Sequence, residues 1–415
     1  MKNVRLLTGL IATVSLVAWA PARADVVTDW NAITLNCVQG PPTPANRAGP
    51  GGLLDVALVQ AAVHDAVQAI QGRFEAYEYE NATMRGVGSP QAAAAAAAYG
   101  VLVGLYGSDD PCLATVTDPS VTYAGDAGLK AGVEAAAALL PLHRPTFTLP
   151  TDPFTGSTEP GQWRPTPGVT QGASTFLAQT APFAMTKPAQ FRPAPPTPLR
   201  SLRYVFDYYE VKAFGAQSST ARTAEQTEIA YFWTANFFSQ WNRTLRSIAD
   251  QDVPEVGDKA RLFALAAFAA ADSQISVYEA KYHYNFWRPI TAIQEGDRDG
   301  NLWTVGDPAW TPLIATPAYP ENSSGANALA GALMTVLQQY FSTDRLEFSV
   351  WTTSPNVTVN PRTYERFSDL LREMIGARIY QGIHFRTSEE VGRQQGVRIG
   401  HWTFNNYLRP VKTRK

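Results

Sequence analysis

The fold of this chain is decided near its C-terminus, by the stretch Gly376-Ala377-Arg378-Ile379-Tyr380-Gln381-Gly382-Ile383-His384-Phe385-Arg386. Apolar residues before it recur at intervals of three and four positions, which predicts a helix with Asn360 as N-cap and Pro361 in its first turn. Those apolar residues are Tyr364, Phe367, Leu371 and Met374. Arg378 continues this buried face, and Gly382 ends the helix and turns His384 back toward it. Because a buried guanidinium keeps its proton, we expect either a carboxylate or a bound oxyanion beside Arg378.

Length and composition fit a helical protein. The chain has 415 residues, of which 45% are hydrophobic, and this suits one large helical body or two fused bundles. Long helical patterns joined by short turns, without a convincing alternating strand, predict an all-α fold. We expect an N-terminal helical region over 25–200 and a C-terminal helical domain over 201–415 that carries the functional site.

Residues 1–24 have the pattern of a secretory signal peptide. Lys2 and Arg5 precede an apolar core, and Ala22-Arg23-Ala24 forms a small-residue cleavage site. We therefore expect a periplasmic or secreted protein, without a membrane span in the mature chain. Cleavage removes three of the 34 basic residues and none of the 36 acidic ones, leaving 31 against 36 and a formal charge of −5. This charge argues against nucleic acid as a partner.

Cysteines and histidines limit the kinds of site that the chain can hold. An oxidising compartment favours a disulfide between Cys37 and Cys112, although two separate buried thiols remain an alternative. The five histidines show neither HxH nor HExxH spacing, which argues against a multi-histidine zinc or iron site.

The N-terminal region contains three predicted helices and a long irregular segment. The helices run over Leu53–Gln71, from Ser89-Pro90 to Tyr106, and over Ala124–Leu140. His64 and Asp65 lie inside the first helix, where a structural polar pair is favoured over a catalytic role. Prolines, glycines and threonines crowd 141–198, and its aromatic residues predict a segment that wraps the body or covers a site.

Three sequence segments place basic and polar groups where they could meet one anion. The predicted C-terminal helices run over Ser201–Phe214, Ala224–Ile248 and Asp258–Trp287. On the last of these, Lys281 and Arg288 are seven residues apart, so they point the same way before Pro289 stops the helix. Structural salt bridges are the alternative for this pair.

The second segment, Tyr319–Ala326, ends at a helix start. Ser324 and Gly325 there offer a hydroxyl and free backbone N–H groups to an anion, with ordinary N-capping as the alternative. The third segment carries Arg378 and His384, for which a core histidine near a salt-bridged arginine is the alternative.

Together the three segments resemble the superfamily of vanadium-dependent haloperoxidases and type 2 phosphatidic acid phosphatases, whose motifs are KxxxxxxRP, PSGH and SRxxxGxHxxxD. Lys281 to Pro289 matches the first motif completely. The second corresponds to Ser323-Ser324-Gly325-Ala326, and the third to Ala377-Arg378 through Gly382, His384 and Ser388. The N-terminal run 25–70 also looks like the exported bacterial haloperoxidase-like group.

This resemblance implies a role for each matching residue. Lys281, Arg288 and Arg378 would bind the equatorial oxygens of vanadate or phosphate, and Ser324 and the N–H of Gly325 would add hydrogen bonds. His384 would ligate vanadium or attack phosphorus as a nucleophile.

Two positions depart from the family pattern. Ala326 stands where the second motif has its acid-base histidine, and Ser388 stands where the third motif has an aspartate that orients the ligating ring. His283, His64 and Glu321 are candidate replacements for the missing acid, and the sequence does not choose among them. We expect oxyanion binding to persist better than turnover.

Three functions follow from the resemblance. The first is a haloperoxidase with vanadate as cofactor, acting on peroxide, halide and an organic acceptor, in which vanadium serves as Lewis acid. The second is a phosphatase that forms a phosphohistidine from a phosphate ester, and the third is a non-catalytic oxyanion-binding protein. We also expect Phe286, Trp287 and Trp303 to form walls of the site. Oligomeric state is left open by the sequence.

Overall fold

The computed structural model describes residues 25–40, 49–143 and 153–411. The predicted signal peptide, 1–24, lies outside these residues, so cleavage and a periplasmic or secreted location stay predictions. Part of the irregular segment, 144–152, and residues 41–48 also lie outside the described part.

The described part of the chain is built mainly from helices. They are α1 (Val26–Gln39), α2 (Gly52–Gln71), α3 (Pro90–Tyr106), α4 (Pro119–Thr122), α5 (Gly128–His143), α6 (Leu202–Phe214), α7 (Ala224–Phe232), α8 (Phe237–Asp252), α9 (Val256–Tyr284), α10 (Pro289–Gln294), α11 (Gly325–Phe341), α12 (Phe367–Tyr380) and α13 (Arg386–Asn406). One antiparallel hairpin pairs β1 (Arg345–Val350) with β2 (Arg362–Arg366). The predicted all-α fold is confirmed, and the hairpin is an addition that the sequence reading missed.

The N-terminal helices pack through small residues. The alanine run of α3 is buried, and this helix packs against α2 and α5. At Gly132 of α5, a Cβ atom would lie 2.4 Å from the backbone oxygen of Ala93, so only glycine permits this approach. A disulfide joins Cys37 of α1 to Cys112, which decides between pairing and two free thiols.

Helix α9 forms the centre of the molecule, because it packs against α2, α11 and α13. Helices α11 and α13 approach closely, and a Cβ atom at Gly396 would lie 1.9 Å from the backbone oxygen of Ala328. One hydrophobic core runs through the helices on both sides of residue 200. The predicted division of the chain at this position stays a prediction.

The irregular segment wraps the helical body where the structure describes it. Buried Asp272 of α9 accepts hydrogen bonds from the backbone N–H groups of Phe183, Ala184 and Met185 at 2.7, 2.8 and 2.7 Å. Burial raises the pKa of this carboxyl to about 7. The indole of Trp402 on α13 donates to the Ala184 oxygen at 2.8 Å, so two helices hold the same point of the segment.

Several predicted helix boundaries are wrong. Asn360 is not the N-cap of α12, because Asn360-Pro361 precedes β2 and the helix begins only at Phe367. The helix predicted over Ala224–Ile248 is two helices, with Asn236 capping the second. The Asn236 side chain accepts a hydrogen bond from the backbone N–H of Phe238, so a new helix begins there although the apolar pattern continues.

One helical stretch, Gly49–Gln71, is long and apolar enough to cross a membrane. The tested window lies entirely inside the fold, as in the core helix of a soluble protein. Within the described residues, no other helix meets these criteria.

Candidate functional site

Lys281 lies in the last turn of α9 and is completely buried. Its ammonium group donates to the backbone oxygens of Pro320 at 2.9 Å and of Glu321 at 2.8 Å. Asn285, with φ of 51°, ends the helix shortly afterwards. The loop before α11 is thereby fixed against the end of α9, and these two carbonyl groups supply no negative charge to balance an ammonium group.

Arg288 lies beyond α9, which corrects the prediction that it shares one helical stripe with Lys281. It is the fully buried N-cap residue of α10. Its Nε donates to the Tyr319 oxygen at 2.8 Å and its Nη1 to the Ile383 oxygen at 2.8 Å. The Tyr319 ring centroid lies 4.9 Å from the Arg288 guanidinium carbon and 5.1 Å from the Lys281 nitrogen. Both cations therefore meet the same loop despite leaving different elements.

Arg378 supplies the third cation, from the last turn of α12, and its side chain is 6% exposed. Its guanidinium lies over the Phe237 ring, 5.6 Å from the centroid. Nε of Arg378 and Nη2 of Arg288 are buried and have no hydrogen-bond partner among the described residues. A buried donor left without an acceptor costs about 1–3 kcal/mol or more. These atoms are therefore suited to receive the oxygens of a bound anion.

Two buried carboxyl groups accompany the three cations, although no Lys281, Arg288 or Arg378 nitrogen in the described chain lies within 4.0 Å of a carboxylate oxygen. Burial raises the pKa of Glu321 to about 6 and that of Glu389 to about 8, while the neighbouring cations oppose the rise. Near neutral pH Glu389 is thus mostly protonated and the cluster carries an excess of positive charge. Burial and Arg288 lower the pKa of Lys281 well below its usual value, so an anion bound here would stabilise the ammonium form.

His384 is buried between the cations and the carboxyl groups. Its Nδ1 lies 2.9 Å from Glu321 Oε1 and 3.6 Å from Glu389 Oε1, and its Nε2 lies 3.2 Å from Arg288 Nη1. Burial, followed by the charges of Arg288, Lys281 and Arg378, lowers the pKa of the imidazole well below its usual value. The ring is therefore neutral and can present a lone pair as a ligand or nucleophile.

Ser324 is the N-cap of α11, which bears out the N-capping interpretation of the second segment. Its hydroxyl accepts from the Asn327 N–H at 3.4 Å. Gly325 opens the helix, where its oxygen accepts from Gln274 Nε2 at 3.0 Å. The oxyanion-binding roles of Ser324 and Gly325 stay predictions. Ala326 follows them, buried and without any group able to carry a proton.

Of the three candidate replacements for the missing acid, the structure places only Glu321 beside His384. His283 is exposed and its Nε2 lies 3.2 Å from Arg192 Nη1. His64 lies 2.9 Å from the Glu75 backbone oxygen, and Asp65 accepts three backbone N–H groups, so this pair is structural as predicted.

The expected walls are partly correct. Phe286 and Trp287 are buried beside the site, but the Trp303 side chain is 70% exposed. Sequence reasoning missed the contacts of Tyr319 with two cations and the pairing of Glu321 with His384. Both residues lie just before Asn322 and the two serines of the second motif. This position in the sequence was the available signal that they belong to the site.

The arrangement suits a small oxyanion better than a metal held by several protein ligands. Within the described chain, no group of three or more His, Cys, Asp or Glu residues could hold a metal ion. The cluster offers instead three cationic donors and one neutral imidazole. A tetrahedral oxyanion such as vanadate or phosphate matches this donor set, since its charge meets the cations and only one ring nitrogen is needed as a ligand.

Comparison with known proteins relates this site to a family. Residues 261–413 match the family model described as the VCPO second helical-bundle domain. Vanadium chloroperoxidase from Curvularia inaequalis is 30% identical over 156 residues, covering 31% of this chain and 25% of that protein. The matched part thus spans about a quarter of the curated relative.

Solved structures extend the likeness over nearly the whole chain. A bacterial vanadium-dependent iodoperoxidase superposes with a TM-score of 0.72 at 23% identity, covering 94% of this chain and 97% of that one. A holo-type bacterial vanadium-dependent chloroperoxidase gives a TM-score of 0.70 at 17% identity, with 94% and 98% coverage. At these identities the structures establish a common fold.

Proposed function

Because the chain belongs to the vanadium haloperoxidase family, we propose that its buried cation cluster binds vanadate and that the protein is a haloperoxidase-type oxidoreductase. The observation that carries the proposal is the pair of buried, unpartnered guanidinium atoms, Nη2 of Arg288 and Nε of Arg378, in a cluster with excess positive charge. Neither a salt-bridge network nor an apolar core explains two such donors. An oxyanion would satisfy both.

Each residue in the cluster has a proposed role. Lys281, Arg288 and Arg378 bind the anion's oxygens, and the carbonyl groups of 319–321 and 383 hold the first two of these cations in place. Ser324 and the N–H of Gly325 add hydrogen bonds from the start of α11. His384 would ligate vanadium through Nε2, because Nδ1 is the ring nitrogen that faces Glu321.

Bound vanadate supplies a Lewis acid that activates peroxide toward attack by a halide, without a change in its own oxidation state. The protein's residues contribute the positive charge that polarises the anion's oxygens and the burial that strengthens this effect. Peroxide, a halide and an organic acceptor are the proposed small-molecule substrates. Export to the periplasm or medium is proposed on the signal-like segment 1–24 alone.

Ala326 limits the rate that this site can reach. Losing a general acid-base group costs about 100- to 10,000-fold in rate, whereas anion binding depends mainly on the cations. We therefore propose a weak haloperoxidase whose vanadate affinity is better retained than its turnover.

The test is peroxide-dependent bromination of a phenolic dye by purified protein, with and without orthovanadate. The proposal predicts activity only with vanadate, lost in His384→Ala and retained in His401→Ala, which removes an exposed histidine of α13. Hydrolysis of p-nitrophenyl phosphate that vanadate inhibits, without bromination, would instead favour the phosphohistidine enzyme. Vanadate binding without either activity would favour the oxyanion-binding protein, for which Ala326 is the supporting observation.

A further inference from the structure

We propose that Glu321 is the positioning residue for His384 and that, with Ser388, it replaces the aspartate absent from the third motif. The proposal builds on the proposed function, because it concerns the ring that would ligate vanadate. Glu321 belongs to the second segment, 63 residues before His384 in sequence. The third motif alone therefore does not identify Glu321 as the partner of His384.

The hydrogen bonds of Glu321 determine which ring nitrogen of His384 carries the proton. Oε1 accepts from the backbone N–H of Phe385 at 2.9 Å, so this oxygen acts as an acceptor. His384 Nδ1 lies 2.9 Å from the same oxygen and must therefore donate to it. A neutral imidazole has only one N–H group, so Nε2 keeps its lone pair on the side of Arg288.

Ser388 fixes the carboxylate itself. Its hydroxyl donates to Glu321 Oε2 at 2.5 Å, a shorter contact than its 2.9 Å distance to Asn322 Oδ1. Glu321 and Ser388 are 1% and 3% exposed, so water does not compete strongly for these bonds. The serine at the family's aspartate position thus supports a carboxylate supplied by another segment.

The backbone of Glu321 also helps to place Lys281. Its oxygen accepts from the ammonium group at 2.8 Å, while its side chain holds the imidazole. One residue consequently sets the relative positions of a cation and the proposed ligand. A side-chain substitution removes only the contact with the imidazole, because the backbone oxygen remains.

Nitrogen-15 NMR of the histidine rings tests the proposal in protein without vanadate, with His384→Ala used to assign the signal. Wild type should show His384 protonated on Nδ1. Glu321→Ala should give a mixture of tautomers, while Glu321→Gln, which keeps a carbonyl acceptor at this position, should retain the wild-type tautomer. Glu295→Ala is the control, because Glu295 pairs with Arg164 at 2.9 Å and makes no contact with His384.

Vanadate affinity provides the second readout. Loss of a group that orients a metal ligand typically weakens metal binding about 10- to 100-fold. We expect this loss in Glu321→Ala, a smaller one in Ser388→Ala and none in Glu295→Ala. Protonation of Nε2 in wild type, or the same tautomer and affinity in all variants, would overturn the positioning role. Absence of vanadate binding in wild type would instead count against the proposed function, since the tautomer is measured without vanadate.

Discussion

Replacing Glu389 by glutamine tests whether the buried cluster has an excess of positive charge. Glu389 is fully buried, and burial raises its pKa from the usual 4.5 to about 8. Its Oε2 accepts from Asn327 and its Oε1 has no hydrogen-bond partner, so glutamine imitates the protonated acid with its carbonyl and amino groups in the same places. The substitution should therefore leave stability almost unchanged at low pH.

The difference between the two proteins should then grow with pH. Between pH 4.5 and 8 the unfolded wild type has released the Glu389 proton and the folded wild type has kept it, so wild type loses stability as pH rises. Each pH unit in this window is worth about 1.4 kcal/mol, which gives about 2.7 kcal/mol between pH 5.5 and 7.5. The glutamine variant does not have this loss.

Denaturant unfolding at pH 5.5, 6.5 and 7.5 measures the difference. Glu390→Gln is the matched control, because Glu390 is the next residue and forms a partly exposed ion pair with Arg203. Its stability should stay parallel to that of wild type. A pH-independent difference between Glu389→Gln and wild type would refute the reasoning, since Glu389 would then be ionised and the cluster close to neutral.

Three further changes test the surrounding structure. Burial lowers the pKa of His64 from 6.5 to about 4, so on acidification the unfolded chain takes up a proton before the folded chain does. Lowering the pH from 6.5 to 4 should therefore reduce the free energy of unfolding by about 3 kcal/mol. His64→Gln should lack this loss of stability in acid unfolding curves. Reducing the disulfide between Cys37 and Cys112, which are 75 residues apart, should cost about 4.5 kcal/mol in the chain-entropy model, and unfolding with and without reductant measures it. Ala326→His should raise vanadate-dependent bromination about 100-fold or more; unchanged activity in a folded variant would show that Ala326 is not the proton-transfer position.

The sequence predicted the composition of the site better than the path of the chain. Spacing and the three motifs identified Lys281, Arg288, Arg378 and His384, and the structure brings all four together. The reason given for the first pair was wrong, because Arg288 does not continue α9. A helical period cannot reveal that Asn285 adopts a left-handed conformation and ends the helix earlier. Hydrogen bonds to the backbone oxygens of Tyr319 and Ile383 then place Arg288.

The same limit explains the error around Asn360-Pro361. Local preferences favoured a helix start there, but pairing of β2 with β1 holds the following residues in an extended conformation. Such pairing is a long-range interaction that local sequence does not encode. By contrast, the helix end at Gln71 and the helix starts at Ser89-Pro90 and Ser201 were predicted to within one residue, because the capping residues there act within one turn of the helices that they limit.

The sequence identified Glu321 as a candidate acid but did not predict its contact with His384. It could be proposed as an acid, yet its contact with His384 crosses 63 residues and depends on the fold of two loops. Motif matching aligns residues by position, so it predicts that the partner of the His384 ring lies at Ser388. The structure shows a carboxylate from another segment, with Ser388 as its support.

Calorimetric titration of the protein with orthovanadate tests the cation cluster most directly, using Arg378→Ala and its control Arg372→Ala. Arg372 lies on the same helix, is exposed and pairs with Asp369. We predict saturable binding of one vanadate, weakened about 10- to 100-fold by Arg378→Ala through loss of a charged hydrogen bond and unaffected by Arg372→Ala. Absence of saturable binding to wild type, or equal affinity in the two variants, would contradict the account.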